Sequence, residues 1–333
     1  MSQTGKAFIY QSGGGSYFKW VTDFKTKKSL DKDEVLVKTI SSGINPIDYK
    51  LPNITPMWFS RKGTPVGHDV CGQVVEVGKS VTEFKAGDVV FGNGNGLAEY
   101  TVTKSSALAK LPEGEKSPAV YGGLGVAAGT AYQMLELAGM FEGSDPKNIL
   151  VIGGSGGVGS CAIQVAKARC APGSKISTVC SGKSADYVKS IGADHVVDYS
   201  KEGFVFGTSL PEKSLDGVID CVSSPDDYNY VPEGLKLLKE KTGRYVAANS
   251  ASSMDWIKLM ANRSLGIRTF RGQYQLMFYQ ANRETLTELG KLVKEGKLKV
   301  NVQEYVPFEE SAIRKAFETL QSRRVRGKLI VKM

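Results

Sequence analysis

Histidine is nearly absent from this chain, with two residues in 333. Cysteine is sparse as well: Cys71, Cys161, Cys170, Cys180 and Cys221 are scattered and form no CxxC pair. Such spacing excludes a disulfide framework and points to reduced thiols in a cytoplasmic compartment. No apolar run approaches the ~20 residues that a membrane-spanning helix needs. The opening MSQTGKAFIYQ lacks the charged region and apolar core of a secretory signal. There is no internal repeat and no long low-complexity segment.

What is present is a globular composition, 41% hydrophobic and 23% charged, in a chain long enough for two cores. The net charge of +9 comes from basic residues interleaved with acids, as in DFKTKKSLDKDE and LGKLVKEGKLK. Only QSRRVRGKLIVKM is densely basic, so a solvated face is favoured over a nucleic-acid surface. A positive cleft would attract a polyanionic cofactor.

Residues 1 to about 122 carry short β-branched runs, EVLVKTI, CGQVVEVG and FKAGDVVFG, bounded by turn residues. From Tyr121 the texture changes. AAGTAYQMLELAGMF has helical spacing, and ILVI, KISTVC, HVVDY, LDGVIDCV and GRYVAANS then read as strands with helical segments interleaved among them. The alternation predicts a doubly wound parallel α/β sheet. RETLTELGKLVKEGKL and SAIRKAFETLQS predict two amphipathic helices before a last strand, GKLIVKM.

Between ILVI and the next helix lies GGSGGVG. Gly154, Gly157 and Gly159 follow a G-x-x-G-x-G spacing, with Ser155, Gly156 and Val158 completing the loop. Small residues let a backbone approach a pyrophosphate, and the helix N-terminus faces the charge with its amides and dipole. The second strand carries no acid at its end, where NAD binding would want one; Ser181 and Lys183 stand there instead. A hydroxyl and a cation suit a 2′-phosphate, which makes NADPH the expected cofactor. Cys221 with Val222, and Ala248 with Asn249, end later parallel strands on the edge where such sheets bind ligands.

SSGINPIDYK, GTPVGHDVCGQVVEVGKSVTEFKAGDVVFG, GLAEYTV, GGSGGVG, SIGADHVVDY and RGKLIV together resemble the medium-chain dehydrogenase/reductase superfamily. More narrowly, they resemble its zinc-free quinone oxidoreductase branch, which includes plant enone and alkenal reductases. The resemblance implies a GroES-like β-barrel domain, residues 1–122 with 270–333, and a Rossmann NADP-binding domain, residues 123–269, with the cofactor in the cleft between them. It also implies that Lys50 lines the cofactor site, that Tyr199 meets the adenosine phosphate end, and that Gly327 and Lys328 touch the cofactor. Lys328 equally reads as solvated. Dimers are common in that family.

The zinc branch of the superfamily needs cysteines where this chain has Asn45 and Leu124. His68 alone is too few donors for zinc, so no metal is expected. Asn45 and Asp48 either shape the turn around Pro46 or contact ligand. Lys50 and Tyr49 are the candidate catalytic groups: an ammonium to polarise a carbonyl, and a phenol to donate a proton or simply to pack. His195 reads as structural. The expected reaction is hydride transfer from NADPH to a quinone or an α,β-unsaturated carbonyl. Acceptor choice is expected to depend on loops Thr55–Lys62 and Phe270–Phe278. SLGIRTFRGQYQLMFY reads as core, or as a substrate or dimer surface. Two other readings remain open: a non-enzymatic NADPH-binding redox sensor or crystallin-like protein, and RNA binding by the basic tail.

Overall fold

The computed structural model describes residues 2–11, 17–50, 61–202, 210–224, 228–250 and 272–333. The chain divides into two units, one of Met1–Gly129, Ala281–Gly296 and Val300–Met333, the other of Thr130–Gln280 and Lys297–Lys299. Among the described residues, no helix is long and apolar enough to cross a membrane.

The first unit is built on the β-branched runs of the N-terminal third. Strands β1 (Thr4–Tyr10) and β2 (Phe18–Lys25) pair as an antiparallel ribbon. Strand β3 (Glu34–Gly43) leads through helix α1 (Pro46–Lys50) to β4 (Asp69–Val77), β5 (Val89–Asn93), β6 (Tyr100–Lys104) and β7 (Leu108–Lys110). Alternate residues of β3 and β4 point inward, and Val35, Val37, Val70, Val74, Val90 and Leu108 form one core. A second core joins Phe8, Tyr10, Ile44, Phe317 and Leu329. The sheet order is β14-β15-β3-β4-β5-β7, with β6 also on β3, so the last strands of the chain extend the first sheet beyond β3.

Helix α2 (Gly125–Leu137) precedes the second unit's central strand, β8 (Asn148–Ile152). There follow α3 (Gly157–Arg169), β9 (Lys175–Cys180), α4 (Ala185–Ser190), β10 (His195–Asp198), α5 (Tyr199–Glu202) and β11 (Gly217–Asp220). Helix α6 (Val231–Leu237), β12 (Arg244–Ala247) and β13 (Tyr274–Leu276) complete it. All its strand pairs are parallel, in the order β10-β9-β8-β11-β12-β13. Leu150, Ile152, Val179, Val218, Tyr245 and Ala247 fill the core cluster of this sheet. That is the doubly wound arrangement, whose order reverses between β8 and β11. The chain then returns through α7 (Arg283–Lys294), β14 (Val302–Pro307), α8 (Glu310–Gln321) and β15 (Lys328–Lys332). Asn282 caps α7 by accepting from the Thr285 amide at 2.8 Å.

Two features differ from the sequence reading. Tyr274–Leu276 pairs with β12, so this segment belongs to the parallel sheet and the division falls at Ala281 rather than near residue 270. Helix α6 and strand β14 were not anticipated, because both are short and their apolar residues follow no clear period. Residues 55–60 and 264–271, within the loops and aromatic segment singled out above, lie outside the described residues.

Candidate functional site

The second unit carries the glycine elbow at the end of its central strand. Gly153 turns the chain at φ +85°, a region that favours glycine. A Cβ on Gly154 would overlap Thr178 Oγ1, and one on Gly159 would overlap the Gly153 carbonyl. Both glycines therefore bring α3 close to the sheet. Gly156 differs: a Cβ there meets nothing nearer than the Gly153 oxygen at 3.5 Å. Ser155, Gly156, Gly157 and Val158 are half-buried, and Gly156 caps α3 with no side-chain hydrogen bond. The first-turn amides of a helix lack intrahelical acceptors, so this elbow fits a pyrophosphate.

Val222 sits beside it, since its Cγ2 fills the space a Cβ on Gly153 would need. Cys221 and Val222 follow β11, and β11 pairs with β8 at the reversal of strand order. Their turn is set by Asp220, fully buried, which sequence reasoning did not single out. Its Oδ1 accepts from the amides of Val222 at 2.9 Å and Ser223 at 3.0 Å. Its Oδ2 accepts from Tyr245 Oη at 2.6 Å and from the Ser223 hydroxyl. Ala248 donates its amide to the Asp220 carbonyl at 2.9 Å, and Asn249 Oδ1 accepts from the Ser250 amide at 3.0 Å. Burial, with the Asp220 charge, pushes the Cys221 thiol far up, which leaves it a poor nucleophile.

Ser181 follows β9 and caps a single 3₁₀ turn, Gly182–Ser184, in which Lys183 is exposed. Tyr199 opens α5 with 41% of its surface exposed. One charge here escaped the sequence reading. β9 carries no acid at its end, but Asp198, the last residue of neighbouring β10, stands in register with Cys180 and reaches Gly182. His195 begins β10 and is exposed.

In the first unit, Asn45 and Asp48 build the turn into α1. The Asp48 amide donates to the Asn45 carbonyl at 3.0 Å, and Asp48 Oδ2 accepts from the Asn45 amide at 2.7 Å. Asp48 Oδ1 holds His68 Nδ1 at 2.5 Å. Asn45 Nδ2 donates to Asp69 Oδ2 at 2.9 Å. Lys328 is corrected from the solvated alternative: it is 4% exposed, and Nζ donates to Asn45 Oδ1 at 2.6 Å, Asp69 Oδ2 at 3.2 Å and the Ile44 carbonyl at 3.3 Å. Three acceptors use its three protons, which leaves none aimed at a cofactor. Burial pushes the Asp69 carboxyl up, and the Lys328 charge works against that rise. Gly327 takes φ +85° in the turn before β15, where a Cβ would strike the Asn301 carbonyl. Tyr49 packs, partly buried, against the Phe8–Tyr10–Phe317 core, and Lys50 ends α1 half-buried.

Among the described residues, no three His, Cys, Asp or Glu groups converge as a metal site. His68 is paired with Asp48, Asn45 with Lys328 and Asp69, and Leu124 is a fully buried hydrocarbon. That donor set does not fit a zinc ion, which takes thiolate, imidazole or carboxylate ligands in tetrahedral array.

Comparison with known proteins agrees with this architecture. Residues 31–132 match the alcohol dehydrogenase GroES-like domain, and residues 191–331 match the zinc-binding dehydrogenase family. A 2-methylene-furan-3-one reductase of Solanum lycopersicum is 31% identical over 317 residues, covering 91% of this chain and 72% of that protein. A chloroplastic NADPH-dependent alkenal/one oxidoreductase of Arabidopsis thaliana is 30% identical over 341 residues, covering 98% of this chain and 79% of its own. The structure of a quinone oxidoreductase from Coxiella burnetii superposes with a TM-score of 0.79 at 28% identity, each chain covered in full. With a mixed, mainly antiparallel sheet, a doubly wound parallel sheet and relatives at this level of identity, the chain belongs to the medium-chain dehydrogenase/reductase superfamily.

Proposed function

We propose that this protein is an oxidoreductase that reduces α,β-unsaturated carbonyls and quinones with NADPH and without a metal. Its family implies a nicotinamide cofactor, and the names of the tomato, Arabidopsis and Coxiella relatives support the two acceptor classes. One observation carries the reading: a glycine elbow at the strand-order reversal, with Ser181 and exposed Lys183 on the next strand's turn. A hundredfold preference for the 2′-phosphate needs only ~2.7 kcal/mol, within the reach of one ion pair and one hydroxyl.

In this reading the amides at Gly157 and Val158 take the pyrophosphate, with Ser155 and Gly156 shaping the loop, Ser181 and Lys183 take the 2′-phosphate, and Tyr199 the adenosine end. Cys221, Val222, Ala248 and Asn249 line the carboxyl edge of the sheet. Asn45, Gly327 and Lys328 act by shaping the turn that carries Lys50, whose ammonium binds the cofactor carboxamide or polarises the acceptor oxygen. Tyr49 is the candidate proton donor. When bound, the nicotinamide supplies a hydride, which an enone takes at its β-carbon. A side chain that stabilises charge on the acceptor oxygen then lowers the barrier most. A dimer and a cytoplasmic location are part of the same reading; analytical ultracentrifugation checks the first.

The test is NADPH oxidation over a panel of enones, alkenals and quinones, repeated with Lys183→Glu. Turnover with at least one acceptor class, and a preference for NADPH that collapses in the variant, is the expected result. No turnover across the panel overturns the function. An intact preference in Lys183→Glu overturns the phosphate assignment.

A further inference from the structure

Two adjacent strands deliver their following turns to one edge of the parallel sheet: Ser181–Lys183 after β9, and Tyr199–Ser200 after β10. Asp198 lies between these turns. Its carboxylate occupies the space a Cβ on Gly182 would need, so the backbone between Ser181 and Lys183 rests directly on a negative charge. Asp198 Oδ1 accepts from Ser200 Oγ at 2.6 Å and the Ser200 amide at 3.1 Å. Hydrogen bonds from the Ser200 hydroxyl, and then from the Ser200 amide, hold its carboxyl below the usual carboxylate range. The group is charged at neutral pH.

A phosphate held by Ser181 and Lys183 would lie against the backbone between them, where the Asp198 carboxylate already stands. The same carboxylate repels a dianion. A ribose with free hydroxyls suffers neither effect and can donate to an acid, as it does in NAD-binding sheets.

We propose that Asp198 sets nucleotide choice at this turn: its carboxylate, set against the Gly182 backbone, acts as an internal anion that opposes a 2′-phosphate bound there. The preference for NADPH over NADH is thereby held below what Ser181 and Lys183 alone would give. The proposal rests on the phosphate assignment made above. It also gives Asp198 a role opposite in sign to that of Lys183.

Equilibrium titration of the whole protein with NADPH and NADH, read by nucleotide fluorescence, tests it without turnover. Adenosine 2′,5′-bisphosphate and 5′-AMP serve as fragment probes. Asp198→Asn should tighten NADPH and the bisphosphate roughly threefold to tenfold, the scale of one screened charge interaction, and leave NADH and 5′-AMP unchanged or weaker. Asp198→Ser, which also removes the charge in a smaller side chain, should move the ratio in the same direction. An unchanged ratio in folded variants, or equal weakening of both nucleotides, overturns the role of Asp198 alone. Wild-type protein that binds neither dinucleotide overturns the cofactor reading and this proposal together.

Discussion

The Lys328 ammonium lies 3.2 Å from the Asp69 carboxylate, with their side chains 5% and 0% exposed. The same carboxylate accepts from Asn45 Nδ2 at 2.9 Å and from the Val126 amide at 2.6 Å. One buried pair therefore joins the last strand, the turn into α1, β4 and the start of α2. Removing one partner strands a charge in a site that water does not reach. Lys328→Met should cost about 3–5 kcal/mol of unfolding free energy, read as a lowered urea midpoint. Lys328→Met combined with Asp69→Leu should recover part of that loss, because no charge is then left alone. Equal loss in single and double variants would show that the ion pair is not the source.

The elbow glycines separate in a comparison of two alanines. Gly154→Ala forces a methyl into Thr178 Oγ1, so α3 must move away from β9. A destabilisation of about 1–3 kcal/mol is expected, with dinucleotide affinity lowered tenfold or more. Gly156→Ala has room at 3.5 Å and should keep the wild-type melting temperature. Thermal melts and nucleotide titrations of the two variants check both halves. Equal melting temperatures would contradict the packing argument.

Asp220 is a buried carboxylate held by hydroxyls and amides, with Tyr245 Oη at 2.6 Å. Tyr245→Phe removes one donor and nothing else. Its expected cost is about 1–3 kcal/mol, the price of an incompletely satisfied buried charge. Denaturant unfolding measures it. Because Asp220 also orders the Val222 amide beside Gly153, nucleotide affinity should fall in the same variant.

The cysteines should be slow to alkylate in the folded chain. Burial pushes the Cys170 thiol up to about 11 from 9.0, and pushes Cys71 and Cys221 higher still. At pH 8 the thiolate fraction of Cys170 then falls about a hundredfold below that of an unperturbed thiol. Reactivity should rise with pH toward 11 and jump on addition of urea. Peptide mass spectrometry after iodoacetamide treatment follows each site, and rapid labelling of folded protein at pH 8 would refute it.

Much of the fold was legible because it rests on local pattern. KISTVC is β9 to the residue, and HVVDY differs from β10 by one. The glycine elbow was legible for the same reason: positive φ and close helix approach are demands a short stretch must meet by itself. β13 was hidden, since three residues carry no period and their pairing with β12 depends on chain returning from elsewhere. Lys328 was misjudged as open to solvation because its partners lie 283 and 259 positions away.

By itself, then, the sequence determined the alternation of strand and helix and the elbow that suits a pyrophosphate. Only the tertiary structure decided which polar groups spend themselves on one another. It put Lys328 against Asp69, tied His68 to Asp48, and set Asp198 from the adjoining strand on the Gly182 backbone. The reason is one of range. Backbone propensity and periodicity act over a few neighbouring residues, whereas a buried charge takes whatever partner the crossing of distant strands brings within 3 Å or so.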